Sequence, residues 1–383
     1  IQASHVVVRL RYPQADLRRH DFWNLEPDML DSGFLSLSRG LFEFALAGEP
    51  FQQLLLGIQA PAEGLAVAKN MIPPELPESQ SAILEKALQT EDYFLLWGPP
   101  GTGKTSVFLR QLTAILMEKT SENVLLMAYT NRAVDEICES VESAGLTDYL
   151  RIGSEHSCDS RYREKLFSRQ LEGITNRQSL LQLLDQKRLF VGTLASMLNN
   201  MDLFRIKKFH SAIIDEASQI LEPMLAGILS RFDRFFLIGD HHQLPAVVMQ
   251  SEAESSVFDK DLHGMGLFNL RNSLFERLFA IARRENWTHA YAMLQHQGRM
   301  HRELMDFPAG MFYENNLDIL PSELAHRQKQ LRNYWVAPDD LGEAFRQHPV
   351  FCRRRIFIPT RAEIHAGGLK ANESEAEQIC RIL

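Results

Sequence analysis

The stretch YFLLWGPPGTGKTSVFLRQL, residues 93–112, decides the fold. It opens with a short apolar run, Tyr93 to Trp97, of the length of a buried strand. GPPGTGKT, residues 98–105, then keeps the spacing G-x-x-x-x-G-K-[ST]. Phe108, Leu112, Ile115 and Leu116 follow at helical spacing. Strand, glycine loop and helix in this order make a phosphate cradle. The glycines let backbone N–H groups wrap phosphate oxygens, and the helix N-terminus adds partial positive charge. The reading therefore assigns Gly98, Gly101, Thr102 and Gly103 to the loop. Lys104 is assigned to the β- and γ-phosphates, and the Thr105 hydroxyl to Mg2+.

Outward from this loop, NVLLMAY (123–129), LFVGT (189–193), SAIID (211–215), RFFLIGD (234–240) and HAYAML (289–294) are further apolar runs. Helical stripes such as Val134, Ile137, Cys138 and Val141 separate them. Short apolar strands alternating with helices predict an α/β fold, a parallel sheet covered by helices on both faces. Such sheets bind ligands at the carboxyl ends of their strands. The polar tips GPPGTGKT, DEAS and GDHHQ all sit at such ends, so they are expected to converge. Asp215 is then expected in the Mg2+ shell, and Glu216 as the base that orients and deprotonates the attacking water. Gln243 is expected to touch the γ-phosphate or that water.

The rest of the chain bounds this reading. At 383 residues it is too long for one comfortable core, and 45% hydrophobic with 23% charged residues fits a globular protein. No run reaches the roughly 20 apolar residues of a membrane helix, so no membrane partner is expected. Cys138, Cys158, Cys352 and Cys380 are scattered, which suits reduced thiols rather than a disulfide set or zinc site. The net charge of −8 weighs mildly against a nucleic-acid partner but leaves room for a local basic groove. Ile1 is not a methionine, so the expectation is a processed chain or a fragment. Residues 1–78 read as an accessory region in which HVVVRLRY suits a strand and FLSLSRGLFEFALAG a helix. Residues 79–295 hold the nucleotide fold, with a polar insertion at about 145–188.

The order of motifs narrows the function. LPESQSAILEKAL (76–88) precedes the loop, and MAYTNRAVDEI (127–137), DEASQ, GDHHQLP, SLFERL, QGRMH and FPAGMFYENNL follow it. This series resembles the superfamily 1 helicases, in the branch containing the nonsense-mediated-decay RNA helicase and the replication helicase-nuclease. The resemblance implies a RecA-like P-loop domain at 79–295 and a stalk or small β-barrel in the N-terminal region. It also implies a second RecA-like domain beginning at 296 and incomplete at 383, in a chain cut short on that side. It implies an ATP- and Mg2+-dependent, 5′-to-3′ translocase on single-stranded nucleic acid, DNA ahead of RNA. A cytoplasmic, nucleoid or nuclear monomer is expected.

By position, Gln80 matches the residue that reads the adenine edge. Thr130, Asn131 and Thr193 match backbone contacts to the strand, and Arg299 the arginine that the second domain offers to the γ-phosphate. Gly298 departs from the family, which commonly carries an adenine-stacking tyrosine there. Two other classes share the P-loop: an ATPase that remodels a protein partner, and a non-catalytic module that grips nucleic acid or a partner.

Overall fold

A parallel sheet buried on both faces needs strands that are largely apolar along their length, and most strands here are of that kind. The structure is a computed structural model and describes residues 32–64, 71–74, 76–248, 250–321, 328–329, 356–359 and 372–382. Seven strands form the main sheet: β1 (Tyr93–Trp97), β2 (Val124–Ala128), β3 (Tyr149–Ile152), β4 (Leu189–Thr193), β5 (Ser211–Ile214), β6 (Arg234–Gly239) and β7 (Tyr291–Met293). Their order is β3-β4-β2-β5-β6-β1-β7, and every pairing is parallel.

Alternate residues serve two cores. Tyr93, Leu95 and Trp97 join Leu237, Phe275 and Leu278 on one face, while Phe94 and Leu96 join Phe108, Leu112 and Ile137 on the other. Burial of each such side chain contributes roughly 1.5–3 kcal/mol. With both faces covered, the carboxyl ends of the strands are left for chemistry. β6 lies between β1 and β5. The strand leading to Gln243 thus stands between the P-loop strand and the one leading to Asp215.

One strand departs from the sequence reading. The region 145–188 reads as a polar insertion, yet Tyr149–Ile152 pairs in parallel with β4 as the sheet edge. Arg151 disguises it. A charged residue in a four-residue run breaks the apolar pattern, but here the side chain is buried and ion-paired with Asp135. Only the part beyond β3 lacks strands.

The helix expected at FLSLSRGLFEFALAG is present as Ser32–Ala45. It packs on the helix Glu222–Leu229 of the main fold. The two backbones meet at Gly40 and Gly227. A Cβ on Gly40 would lie 1.8 Å from the Pro223 carbonyl oxygen, and one on Gly227 2.4 Å from that of Gly40. Arg231 and Glu43 pair across the same crossing. The strand expected at HVVVRLRY lies outside the described residues.

After β7 the chain runs along the P-loop, with Leu294 N–H donating to Trp97 O at 2.9 Å and Gly298 N–H to Gly101 O at 2.9 Å. β8 (His296–Gln297) and β9 (Asp318–Ile319) then pair in parallel across the helix Arg302–Phe312. Among the described residues, no helix is long and apolar enough to cross a membrane.

Candidate nucleotide site

The P-loop is shaped by its own hydrogen bonds. Gly98 N–H donates to Gly239 O on β6 at 3.0 Å, and the buried Thr102 hydroxyl donates to Pro99 O at 2.7 Å. Gly101 and Gly103 take φ of +77° and +84°, a region that side chains disfavour. At Gly101 there is a second reason for glycine, because an added Cβ would sit 2.5 Å from the Cβ of Arg299. The helix that follows opens wide. Phe108 N–H reaches Gly103 O, five residues back, at 3.0 Å, before the α-helix Arg110–Lys119 begins. Such wide turns recur at functional sites.

The acidic pair stands beside this loop. Thr105 Oγ1 donates to Asp215 Oδ2 at 2.5 Å, and Lys104 Nζ lies 3.3 Å from Glu216 Oε1. Asp215 is buried. Burial, then the neighbouring Glu216 carboxylate, pushes its carboxyl up to about 6. A bound cation reverses that balance by favouring the ionised form. One hydroxyl and one carboxylate are hard oxygen donors of the kind Mg2+ takes alongside phosphates and water, so these residues fit that ion. Glu216 has φ of 52°, a left-handed backbone that costs a non-glycine residue about 1–2 kcal/mol. Gln219 Nε2 donates to its Oε2 at 3.3 Å.

Lys104, Thr105, Glu216, Gln243, Arg299 and Gln80 all line one cavity of about 870 Å3, together with His296, Gly298 and Leu320. The structure thus brings Gln80 and Arg299, distant in sequence, onto the loop that holds Lys104. Gln243 does not point into the cavity with its whole amide. Its Nε2 donates to Asp240 Oδ2 at 2.7 Å.

Residues 80–249 match the family described as an AAA domain, and residues 270–383 match a second family of the same description. The chain is 29% identical to the DNA replication ATP-dependent helicase/nuclease JHS1 of Arabidopsis thaliana, over 85% of this chain and 24% of that protein. It is 27% identical to the DNA replication ATP-dependent helicase/nuclease DNA2 of Homo sapiens, over 96% and 34%. It is 30% identical to the Regulator of nonsense transcripts 1 of Caenorhabditis elegans, over 77% and 28%. The chain belongs to the superfamily 1 helicases. It spans between about a quarter and a third of the length of these relatives. A solved arterivirus nonstructural protein 10 helicase in complex with DNA covers 62% of this chain and 44% of that one at 16% identity. Its TM-score of 0.35 is too low to bear on function.

The positions from which strand contacts are expected, Thr130, Asn131 and Thr193, fall at the ends of β2 and β4. Thr130 is exposed and caps the helix Asn131–Ser143, its Oγ1 accepting from Ala133 N–H at 3.2 Å. Asn131 is half-buried beside it, and Tyr129, which the sequence reading passed over, is 42% exposed. Thr193 differs. It is buried, and its hydroxyl caps the helix Leu194–Asn199 while bonding Ser196 Oγ at 2.7 Å. Its side chain is committed to that cap, whereas Tyr129, Thr130 and Asn131 are at least partly exposed.

The sequence reading also missed Trp97, Asp240 and Tyr313, which meet behind Gln243, and Ser140, whose hydroxyl donates to Thr105 O at 2.8 Å. Ser140 sits on the helix that Thr130 caps, so one helix joins Thr130 to the P-loop. The residue types carried a signal. An aspartate after a buried strand, and an indole before a P-loop, are polar groups in need of partners.

Proposed function

We propose that this chain is the nucleotide-driven part of an ATP-dependent helicase that translocates on single-stranded nucleic acid, DNA ahead of RNA. The observation that carries the proposal is the one cavity that Lys104, Glu216, Gln243 and Arg299 together line. A phosphate chain laid along the P-loop N–H groups meets Lys104 at its β–γ end. Thr105 and Asp215 would hold Mg2+, which would supply charge neutralisation at the γ-phosphate. Glu216 takes the proton of the attacking water. Arg299 approaches from the segment beyond β7 and adds positive charge as the transition state forms. Gln80 faces the base.

Residues 296 onward are read as the start of a second RecA-like domain, since a strand, a helix and a parallel strand are its repeating unit. Residues 32–55 are read as part of an accessory stalk docked on the first domain. The bond from Gly298 N–H to Gly101 O couples this second segment to the nucleotide loop. Thr130 and Asn131 supply small hydroxyl and amide groups suited to phosphates, contacts blind to sequence. The names of the relatives, DNA replication helicase/nucleases above all, support DNA as the strand. ATP hydrolysis by the full-length protein without strand, with single-stranded DNA and with RNA tests the proposal. Stimulation by a strand, lost in Lys104→Ala, is expected; hydrolysis indifferent to any strand would remove the translocase reading.

A further inference from the structure

Asp240 is fully buried and, among the described residues, no lysine or arginine pairs with it. Four donors satisfy it instead. Trp97 Nε1 at 3.0 Å and His242 N–H at 3.2 Å reach Oδ1. Gln243 Nε2 at 2.7 Å and the Tyr313 hydroxyl at 2.9 Å reach Oδ2. Its own N–H donates to Ser218 Oγ at 3.1 Å. These partners come from the strand ahead of the P-loop, the turn after Glu216 and the end of the helix that follows Arg299. The carboxylate is therefore fixed from several sides.

A carboxylate accepts hydrogen bonds and has no hydrogen to give. This settles how the Gln243 amide must turn. Its NH2 arm goes to Asp240, and its carbonyl oxygen has no partner among the described residues, on a residue that lines the nucleotide cavity. Phosphate oxygens only accept, so a carbonyl oxygen has nothing to offer them. A water molecule has hydrogens to give.

We infer that Asp240 is a positioning residue which turns Gln243 so that its carbonyl oxygen accepts from the attacking water, instead of its amide donating to the γ-phosphate. The inference rests on the nucleotide reading given above. Gln243 thereby serves hydrolysis and contributes little to nucleotide affinity.

Asp240→Asn tests this by its own hydrogen-bond logic. Trp97 Nε1 and His242 N–H can only donate, so they keep the one oxygen of the new amide. Its NH2 must then face Gln243, which has to turn its carbonyl inward and free both N–H groups toward the cavity. The full-length protein is titrated with a fluorescent ATP analogue, and single-turnover hydrolysis is followed with single-stranded DNA present. For Asp240→Asn the rate is expected to fall about 10- to 100-fold, the loss seen when outer-shell partners of reacting groups are removed at metal sites. Nucleotide affinity should hold or tighten. Gln243→Met should lose as much rate with affinity again unchanged, and the double variant should lose no more than Gln243→Met alone.

Tenfold weaker nucleotide binding in Gln243→Met, or losses that multiply in the double variant, would overturn the inference. Gln243→Met also keeps the test open if Asp240→Asn does not fold. Failure of the nucleotide reading shows separately, as ATP binding that survives Lys104→Ala.

Discussion

Glu216→Gln should tighten ATP binding while stopping hydrolysis. Lys104 Nζ sits 3.3 Å from Glu216 Oε1, with the two side chains 10% and 26% exposed. A phosphate chain must take the ammonium from that carboxylate and then lie beside its negative charge. At an effective dielectric of about 20, two unit charges at this separation attract by roughly 5 kcal/mol. Partial exposure and the cost of desolvating both groups cut this to roughly 1–2 kcal/mol net. Removing the charge at 216 should therefore lower the Kd for ATP about 5- to 30-fold. Hydrolysis should drop by about 10²- to 10⁴-fold, the usual worth of a positioned base. The backbone at 216 keeps its left-handed turn in both forms, so strain drops out of the comparison. The assay is an equilibrium titration of a labelled ATP analogue with Mg2+ at low and high salt, followed by single-turnover hydrolysis. Added salt should narrow the affinity gap, since a partly exposed pair is screened. Unchanged or weaker ATP binding by Glu216→Gln would show that Glu216 does not compete with nucleotide for Lys104.

Four further outcomes are expected. At Gly298 a Cβ would meet Leu320 Cδ1 at 3.0 Å, the tip of a flexible side chain. Gly298→Tyr alone should therefore improve ATP binding only slightly, whereas Gly298→Tyr with Leu320→Ala should approach the roughly 1–3 kcal/mol of base–aromatic stacking. Titration with ATP, GTP and CTP reads this, and a double variant no tighter than the single would rule out a base beside Gly298. Thr130→Ala should destabilise the fold by about 1 kcal/mol through the lost cap, while Thr130→Ser keeps both cap and strand affinity. Asn131→Ala should weaken single-strand binding to a similar extent on any sequence, and a changed sequence preference would contradict a backbone contact. Burial, then His242, depresses the His241 imidazole to about 4, so its neutral form stabilises the fold above the unfolded value near 6.5. That contribution is lost as pH falls from about 6.5 toward about 4. Asp215, raised to about 6, acts with the opposite sign and loses its contribution as pH rises through that value, but it is common to both proteins compared. On going from neutrality to about pH 4.5, His241→Phe should lose less stability than the parent by on the order of 2 kcal/mol. Equal losses in denaturant titrations would refute the assignment.

The parts of the site legible in the sequence are those fixed by local backbone chemistry. A P-loop needs glycines at set offsets, so residues 98–105 announce themselves, and an apolar strand ending in Asp215 and Glu216 does so nearly as plainly. The illegible parts depend on which strand neighbours which. Nothing in RFFLIGDHHQ says that β6 will lie between β1 and β5, yet that order puts Gln243 between the P-loop and the acidic pair. The order also decides who meets Asp240. Trp97 reads as the last apolar residue of a strand, and Tyr313 as one aromatic in FPAGMFYENNL; their shared carboxylate appears only when β1 and β6 run side by side and the helix Arg302–Phe312 comes to rest across their ends. Arg151 shows the same limit in reverse, because its burial depends on Asp135, sixteen positions away on another element. Thr193 shows how a motif match leaves two roles open. A hydroxyl at a strand end suits a phosphate and suits a helix cap equally well, and only the burial of the following helix chooses the cap. Local patterns thus name the groups that do chemistry, while sheet order names the groups that aim them. The rate differences sought in Asp240→Asn and Gln243→Met measure how much hydrolysis depends on the second kind.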